Sequence, residues 1–210
     1  PDEVHDIDPS AALDLTGESA ATKKLYGIDD PATQDFGSRC LIARRLVERG
    51  VRFVSVFTAN QTWDHHQNIV KSLPDACKYV DKPAAALVVD LKQRGLLDST
   101  VVHWGGEMGR LPVIQNRSGT KNRANVGRDH NTHGFSMWVA GGGFKAGHIH
   151  GATDEFGHQA VEDVVNHYDY HATLLHLFGL DPKKLTYKRN GVAQTLVENE
   201  QARVVTGLLA

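Results

Sequence analysis

The sequence GRDHNTHGFSMWVAGGG at residues 127–143 is the most informative stretch of this chain. It places Asp129, His130 and His133 on a polar segment that leads directly into apolar residues 135–140 and then into three glycines. The apolar run predicts a buried strand. The glycines allow a tight turn or a close approach of the backbone to a ligand. Acidic and imidazole groups are therefore expected at the end of a buried strand.

Two other clusters of acidic and histidine residues follow apolar runs. The alternating residues 51–57, VRFVSVF, predict a strand that leads to WDHH at residues 63–66. A second predicted strand, residues 100–104, leads to GGEMGR at residues 105–110. Ligands bind beyond the carboxyl ends of the strands in open α/β sheets. The three clusters are therefore expected to converge on one metal site.

Helices are predicted between and beside these strands. Apolar residues at helical spacing, followed by glycine, predict helices at residues 31–49, 82–94 and 168–178. Pro83 is expected in the first turn of the second of these helices. Strands that alternate with helices predict an α/β layered fold. With 210 residues, of which 40% are apolar, the chain is expected to form a single domain over residues 1–210. An irregular lead-in is expected over residues 1–25, apart from a short helix-prone piece at its end.

The composition argues against several functional classes. The net charge of −2 gives no support for an electrostatic nucleic-acid partner. No apolar run approaches the roughly 20 residues that a membrane-spanning helix needs. The two cysteines, Cys40 and Cys77, lie in apolar helical patterns. These patterns predict buried thiols, with a disulfide between them as the alternative.

The first cluster offers a carboxylate and two imidazoles. On an extended or loop backbone, Asp64 and His66 point the same way and His65 points away. Carboxylate together with imidazole suits zinc and similar divalent metals, so Asp64 and His66 are candidate metal ligands. The alternative is a surface loop in which Asp64 caps a helix and the histidines are solvated.

The second cluster places an acid after two glycines. Glycines at a strand end let a metal or a phosphate approach the backbone, so Glu107 is a candidate metal ligand. Arg110 can present a planar, bidentate fork to a phosphate or sulfate group. The alternative is a solvated glutamate and a surface salt bridge.

The third cluster contains the remaining candidates. His130 is the predicted metal ligand, and Asp129 either ligates the metal or orients a ligand imidazole. His133 fits a pocket wall or a proton donor, and Arg128 is a second candidate for anion binding. Neither a G-x-S-x-G motif nor a P-loop occurs in the sequence, and no catalytic nucleophile can be named.

Several long segments resemble one protein family. They are WDHHQN, DLKQRGLLDSTVVHWGGEMGRLP, GRDHNTHGFSMWVAGGGFKAGHIHGATDEFG and YDYHATLLHLFGLD. They closely resemble the DUF1501 proteins, sulfatase-like members of the alkaline phosphatase superfamily that are abundant in planctomycete-type bacteria. The resemblance covers the chain from about Tyr26 to Tyr187. It implies a mainly parallel sheet flanked by helices, metal ions at the strand ends, transfer of a phosphoryl or sulfuryl group, and export from the cytoplasm.

The resemblance carries over to individual positions. It implies that Glu107 occupies a metal position and that Met108 replaces the second ligand expected there, although methionine is a poor ligand for a hard divalent ion. Asp129 and His130 resemble the later histidine ligand of the superfamily. Asp64 and His66 resemble its Asp-plus-His pair at a shorter spacing. The family also carries an N-terminal half with an export signal and a candidate nucleophile, so this chain looks like the C-terminal half.

Two functional hypotheses follow. The first is a metal-dependent hydrolase domain for sulfate or phosphate esters of small molecules or polysaccharides. Its metal is zinc, calcium or magnesium, its metal ligands are Asp64, His66, Glu107 and His130, and its anion-binding residues are Arg110 and Arg128. The alternative is a non-catalytic module or fragment that binds an anionic polysaccharide or a partner chain. An incomplete domain also exposes apolar surface, which predicts self-association.

Overall fold

The computed structural model of the chain describes residues 10–59, 61–115, 125–195 and 201–210. The chain divides into two compact units, one of Pro1–Leu97 with Val113–Asp129 and one of Asp98–Pro112 with His130–Ala210. Residues 1–9 of the predicted lead-in lie outside the described residues. The rest of the lead-in contains two short helices, α1 (Ser10–Leu13) and α2 (Ala20–Leu25).

The first unit is built mainly from two longer helices, α3 (Gln34–Glu48) and α4 (Ile69–Gln93). The α3 helix agrees with the prediction from apolar spacing. The α4 helix begins well before the predicted residue 82, and both Pro74 and Pro83 lie inside it. A proline inside a helix removes one backbone hydrogen bond. Buried residues at helical spacing form the inner face of α4 and offset that loss; they are Ala76, Val80, Pro83, Ala86 and Leu91.

The core of the first unit combines apolar packing with buried charge. Its buried apolar cluster consists of Tyr26, Phe36, Cys40, Leu41, Val80 and Ala86. Arg44 on α3 is only 2% exposed and forms ion pairs with Glu18, Glu48 and Asp90. Arg44 Nη2 lies 2.8 Å from a Glu18 carboxylate oxygen, and Arg44 Nε lies 3.0 Å from an Asp90 carboxylate oxygen. Both contacts are ion pairs whose geometry is not that of a hydrogen bond. This network ties α3 to α4 and to the turn that precedes α2.

The cysteines agree only in part with their prediction. Cys40 is buried in the core, where burial raises the pKa of its thiol to about 12. Cys77 lies on the exposed side of α4, and neither cysteine forms a disulfide. None of the helices in the described ranges is long and apolar enough to cross a membrane.

Among its described residues, the second unit contains one α-helix and short strand pairs. The helix is α5 (His167–Leu177), close to the predicted residues 168–178. The described strands are β1 (Val102–Trp104), β2 (Gly109–Arg110), β3 (His130–Asn131), β4 (Trp138–Ala140), β5 (Ala152–Thr153), β6 (Ala160–Glu162), β7 (Thr186–Arg189) and β8 (Val192–Thr195). The C-terminal tail packs on α5, because Thr173 Oγ1 accepts a hydrogen bond from the Val205 backbone N–H at 2.9 Å.

The predicted α/β fold with a mainly parallel sheet is wrong. Within the described residues the strands form four separate two-stranded sheets, β1 with β4, β2 with β3, β5 with β6 and β7 with β8, and all four pairings are antiparallel. Residues 51–57 join none of these sheets, and Phe53 and Phe57 are 79% and 72% exposed. Alternation of apolar residues indicates a chain that can form a strand, but it specifies neither the neighbouring strand nor its direction.

Candidate metal centre

Three backbone segments of the first unit frame the candidate site. The backbone N–H of Arg128 donates to the His65 carbonyl at 3.0 Å, and that of Ile69 donates to the Val126 carbonyl at 3.1 Å. Gln115 and Gly127 exchange two backbone hydrogen bonds, at 2.8 and 3.0 Å. These bonds hold the WDHH segment beside residues 126–128 and place Gln115 against Gly127.

Gly127 makes this close packing possible. A Cβ atom built on Gly127 would lie only 2.0 Å from the backbone carbonyl carbon of His66 and 2.4 Å from the Gln67 nitrogen. Carbon atoms in contact normally lie about 3.5–4.0 Å apart. A side chain at this position therefore cannot be accommodated unless the two segments separate.

Asp64 and His66 converge as the sequence predicted. Asp64 Oδ1 lies 3.1 Å from His66 Nε2, and both side chains are partly buried. A tight turn brings them together, since the His66 backbone N–H donates to the Asp64 carbonyl at 2.9 Å. The intervening His65 side chain is buried. The pair offers one carboxylate oxygen and one imidazole nitrogen on the same side of the loop.

The other ring nitrogen of His66 faces a glutamine. His66 Nδ1 lies 2.7 Å from Gln115 Oε1, and Gln115 Nε2 donates to Asp129 Oδ2 at 3.0 Å. Asp129 Oδ1 is farther from His66 Nδ1, at 3.7 Å. Asp129 therefore lies on the Nδ1 side of the His66 ring, where it can orient the imidazole through Gln115. It does not lie beside Nε2, the nitrogen that faces Asp64.

The Asp64–His66 pair fits a divalent metal ion. A zinc ion binds carboxylate oxygen and imidazole nitrogen at about 2.0–2.2 Å, so two of its tetrahedral ligand atoms stand about 3.3 Å apart. The 3.1 Å separation of Asp64 Oδ1 and His66 Nε2 is close to that spacing. Imidazole together with carboxylate is also a donor set that zinc accepts. Among the sequence-based candidates, these two residues have the geometry of metal ligands within one unit.

The remaining candidates are divided between the units. Arg128 belongs with Asp64, His66 and Asp129, whereas Glu107, Arg110, His130 and His133 belong to the second unit, whose boundary falls between Asp129 and His130. Glu107 is exposed. Arg110 lies directly opposite His130 in the β2–β3 pair. The His133 ring stacks on that of His158, with centroids 6.3 Å apart. The metal-binding and anion-binding roles of these residues stay predictions.

Gln115 is a member of the site that sequence reasoning missed. It lies 49 residues along the chain from the histidine that it contacts. Neither its residue type nor its spacing belongs to a metal or catalytic motif. Only the tertiary contact identifies it.

Comparison with known proteins identifies a family but no described activity. The model of the family described as "Protein of unknown function (DUF1501)" matches residues 7–209. No curated protein and no solved structure matches the chain.

Proposed function

This chain belongs to the DUF1501 family, and we propose that it acts as a metal-dependent hydrolase domain for sulfate or phosphate esters. The observation that carries the proposal is the approach of Asp64 Oδ1 to His66 Nε2 at 3.1 Å, which suits a shared divalent ion. The choice of ester rests on the sequence resemblance to sulfatase-like proteins.

Each residue of the site has a separate task in this proposal. Asp64 and His66 hold the ion, while Gln115 and Asp129 orient the imidazole from its other side. Arg128 remains the predicted partner of the anionic ester group, for which a guanidinium fork is well shaped. The anion-binding role of Arg110, which belongs to the second unit, stays a separate prediction. When bound, the ion acts as a Lewis acid and stabilises negative charge on the transferring group.

Removing either ligand is expected to remove the metal. Protein purified without chelator and without a nickel column is expected to hold about one divalent ion at this pair, and the His66→Ala and Asp64→Asn variants are expected to lose it, because one remaining ligand binds weakly. Elemental analysis measures the ion content. A screen of aryl sulfate and aryl phosphate esters then tests turnover in the metal-loaded protein.

His176→Ala is the matched control, since this histidine is exposed on α5 in the second unit. Its ion content is expected to equal that of the unchanged protein. A folded His66→Ala variant that keeps its full ion content contradicts the assignment of His66, and a metal-free unchanged protein contradicts the proposed metal.

The second candidate function is non-catalytic binding of an anionic polysaccharide by the second unit. Trp104 and Trp138 are cross-strand partners in the β1–β4 pair. Their ring planes are within 5° of parallel, with centroids 6.4 Å apart, and Trp138 is 38% exposed. Flat indole faces combine apolar area with a polar N–H, which suits the apolar C–H face and the hydroxyl rim of a sugar ring.

The Trp138→Ala variant tests this second candidate. If the unit binds glycans through the indole pair, the affinity for a sulfated polysaccharide is expected to fall about tenfold or more, since aromatic anchors carry much of the binding energy at such surfaces. Calorimetric titration measures it, and Phe156→Ala, which removes another exposed aromatic ring from the same unit, is the control. Equal affinity of the Trp138→Ala variant and the unchanged protein removes this candidate.

A further inference from the structure

We propose that Gln115 is a positioning residue that selects the tautomer of neutral His66 with the proton on Nδ1, which leaves the Nε2 lone pair directed toward Asp64. This role goes beyond the metal-dependent function proposed above and rests on it for its purpose. The tautomer itself is a property of the metal-free chain. It can therefore be observed whether or not the chain binds a metal.

The first step is the orientation of the Gln115 amide. An ionised carboxylate can only accept hydrogen bonds. Asp129 Oδ2 lies 3.0 Å from one end of the amide, so this end must be the NH2 group, which donates. The carbonyl oxygen at the other end then faces His66. Asp129 thus fixes the orientation of Gln115 although it lies 3.7 Å from the imidazole itself.

The second step is the position of the proton on the imidazole. The Gln115 carbonyl oxygen can only accept, and it lies 2.7 Å from His66 Nδ1. Nδ1 must therefore carry a proton and donate it. A neutral imidazole has one N–H, so its Nε2 atom has a lone pair instead. The contacts from Asp129 to Gln115 and from Gln115 to His66 are therefore satisfied by only one tautomer of the neutral ring, the one with its proton on Nδ1.

The third step concerns the space between His66 Nε2 and Asp64. A lone pair on Nε2 beside the Asp64 Oδ1 atom at 3.1 Å offers a metal ion two donor atoms at the spacing that it needs. The tautomer selected by Gln115 is thus the one that a metal ion requires of its histidine ligand. Metal-bound histidines usually donate their other ring N–H to an oxygen in this way.

The backbone holds Gln115 in position for this role. Its N–H and carbonyl both pair with Gly127, at 2.8 and 3.0 Å. The side chain therefore starts from a fixed point beside His66 and does not need to be ordered by the metal. Such preorganisation reduces the entropy lost on binding.

Nitrogen-15 spectroscopy of histidine-labelled, metal-free protein tests the tautomer directly. Spectra are recorded at high pH, where histidine rings are neutral, and the His66 signals are assigned by their loss in His66→Ala. The unchanged protein is expected to show the Nδ1–H tautomer. Gln115→Ala and Asp129→Asn are expected to populate the Nε2–H tautomer. Gln93→Ala, on the exposed face at the end of α4, is the matched control and is expected to change nothing.

Metal affinity is the second readout. Zinc affinity of Gln115→Ala is expected to fall about 10–100-fold, as is typical when a partner of a ligand histidine is removed. An Nε2–H tautomer in the unchanged protein overturns the inference, as does an unchanged tautomer in Gln115→Ala. If the unchanged protein binds zinc, an unchanged zinc affinity in Gln115→Ala overturns it as well. An Nδ1–H tautomer that depends on Gln115, in a protein that binds no metal, supports the tautomer selection and contradicts the proposed hydrolase function.

Discussion

Replacing Gly127 by alanine is expected to cost about 3 kcal/mol of folding free energy and to abolish metal binding, because the new methyl group has no space. It would lie 2.0 Å from the carbonyl carbon and 2.3 Å from the carbonyl oxygen of His66. Overpacking costs about 1–3 kcal/mol, and each backbone hydrogen bond that is lost adds about 1 kcal/mol. The bonds at risk are those from Arg128 to His65 and from Ile69 to Val126. Urea unfolding and elemental analysis measure the two effects.

Gly17→Ala provides the matched control in the same unit. A Cβ atom on Gly17 meets nothing within 4 Å, and its φ does not lie in the left-handed region. The change in stability is therefore expected to stay within about 0.5 kcal/mol, as for ordinary surface substitutions. Equal stabilities of the Gly127→Ala and Gly17→Ala variants would contradict the close packing of residues 126–128 against the WDHH segment.

Helix formation was the part of the fold that local sequence predicted well. The α3 and α5 helices carry their apolar spacing and their terminal signals within a few residues, so their bounds follow from the sequence. The α4 helix shows the limit of that reasoning. Pro83 looks like a residue of the first turn, but packing of the inner face of α4 stabilises a helix that continues through it.

Strand pairing could not be predicted, because it depends on distant partners. Residues 51–57 have a strong alternating pattern and still join no sheet among the described residues. Residues 102–104 and 138–140 were correctly expected within strands, but they pair antiparallel with each other. The same alternation is compatible with either direction and with any neighbour, so it gives no support to the parallel sheet that the family resemblance implies.

In the candidate site, too, the sequence predicted the contact between residues close together in the chain and missed the contacts between residues far apart. Asp64 and His66 are two residues apart, and their spacing correctly predicted that they share one side of the loop. The role of Gly127 follows from a contact of its backbone with His66, and that of Gln115 from a hydrogen bond across 49 residues. Such contacts leave no mark in residue type or spacing.

Replacing Arg44 by methionine is expected to cost about 3 kcal/mol at neutral pH, the low end for breaking a buried ion pair, because the three carboxylates around it keep Arg45 or Arg94 as a second partner. Arg44 is 2% exposed and pairs with Glu18, Glu48 and Asp90. Methionine has a comparable length, so the change removes the charge while it fills much of the same space. Urea unfolding of the full chain measures the loss.

The loss should depend on pH with a definite sign. Burial raises the pKa of Glu18, but the adjacent Arg45 and Arg44 guanidinium groups outweigh burial and hold it below its ordinary value of 4.5. A carboxyl group with a lowered pKa stabilises the fold above that ordinary value, and the stabilisation is lost as the pH falls through the folded value. The difference between the unchanged protein and Arg44→Met is therefore expected to be largest above pH 4.5 and to shrink in acid.

Arg39→Met separates burial from charge, since it removes an arginine from the same helix. Its side chain is 46% exposed, and it pairs with the exposed Asp35. An exposed pair contributes at most about 1 kcal/mol, because water and salt screen it. A similar loss for both variants, or a loss for Arg44→Met that is the same at pH 3 and pH 7, would mean that the buried charges do not stabilise the junction of α3 and α4. A large, acid-sensitive loss confined to Arg44→Met would show that this junction is held by ion pairs as well as by its apolar core.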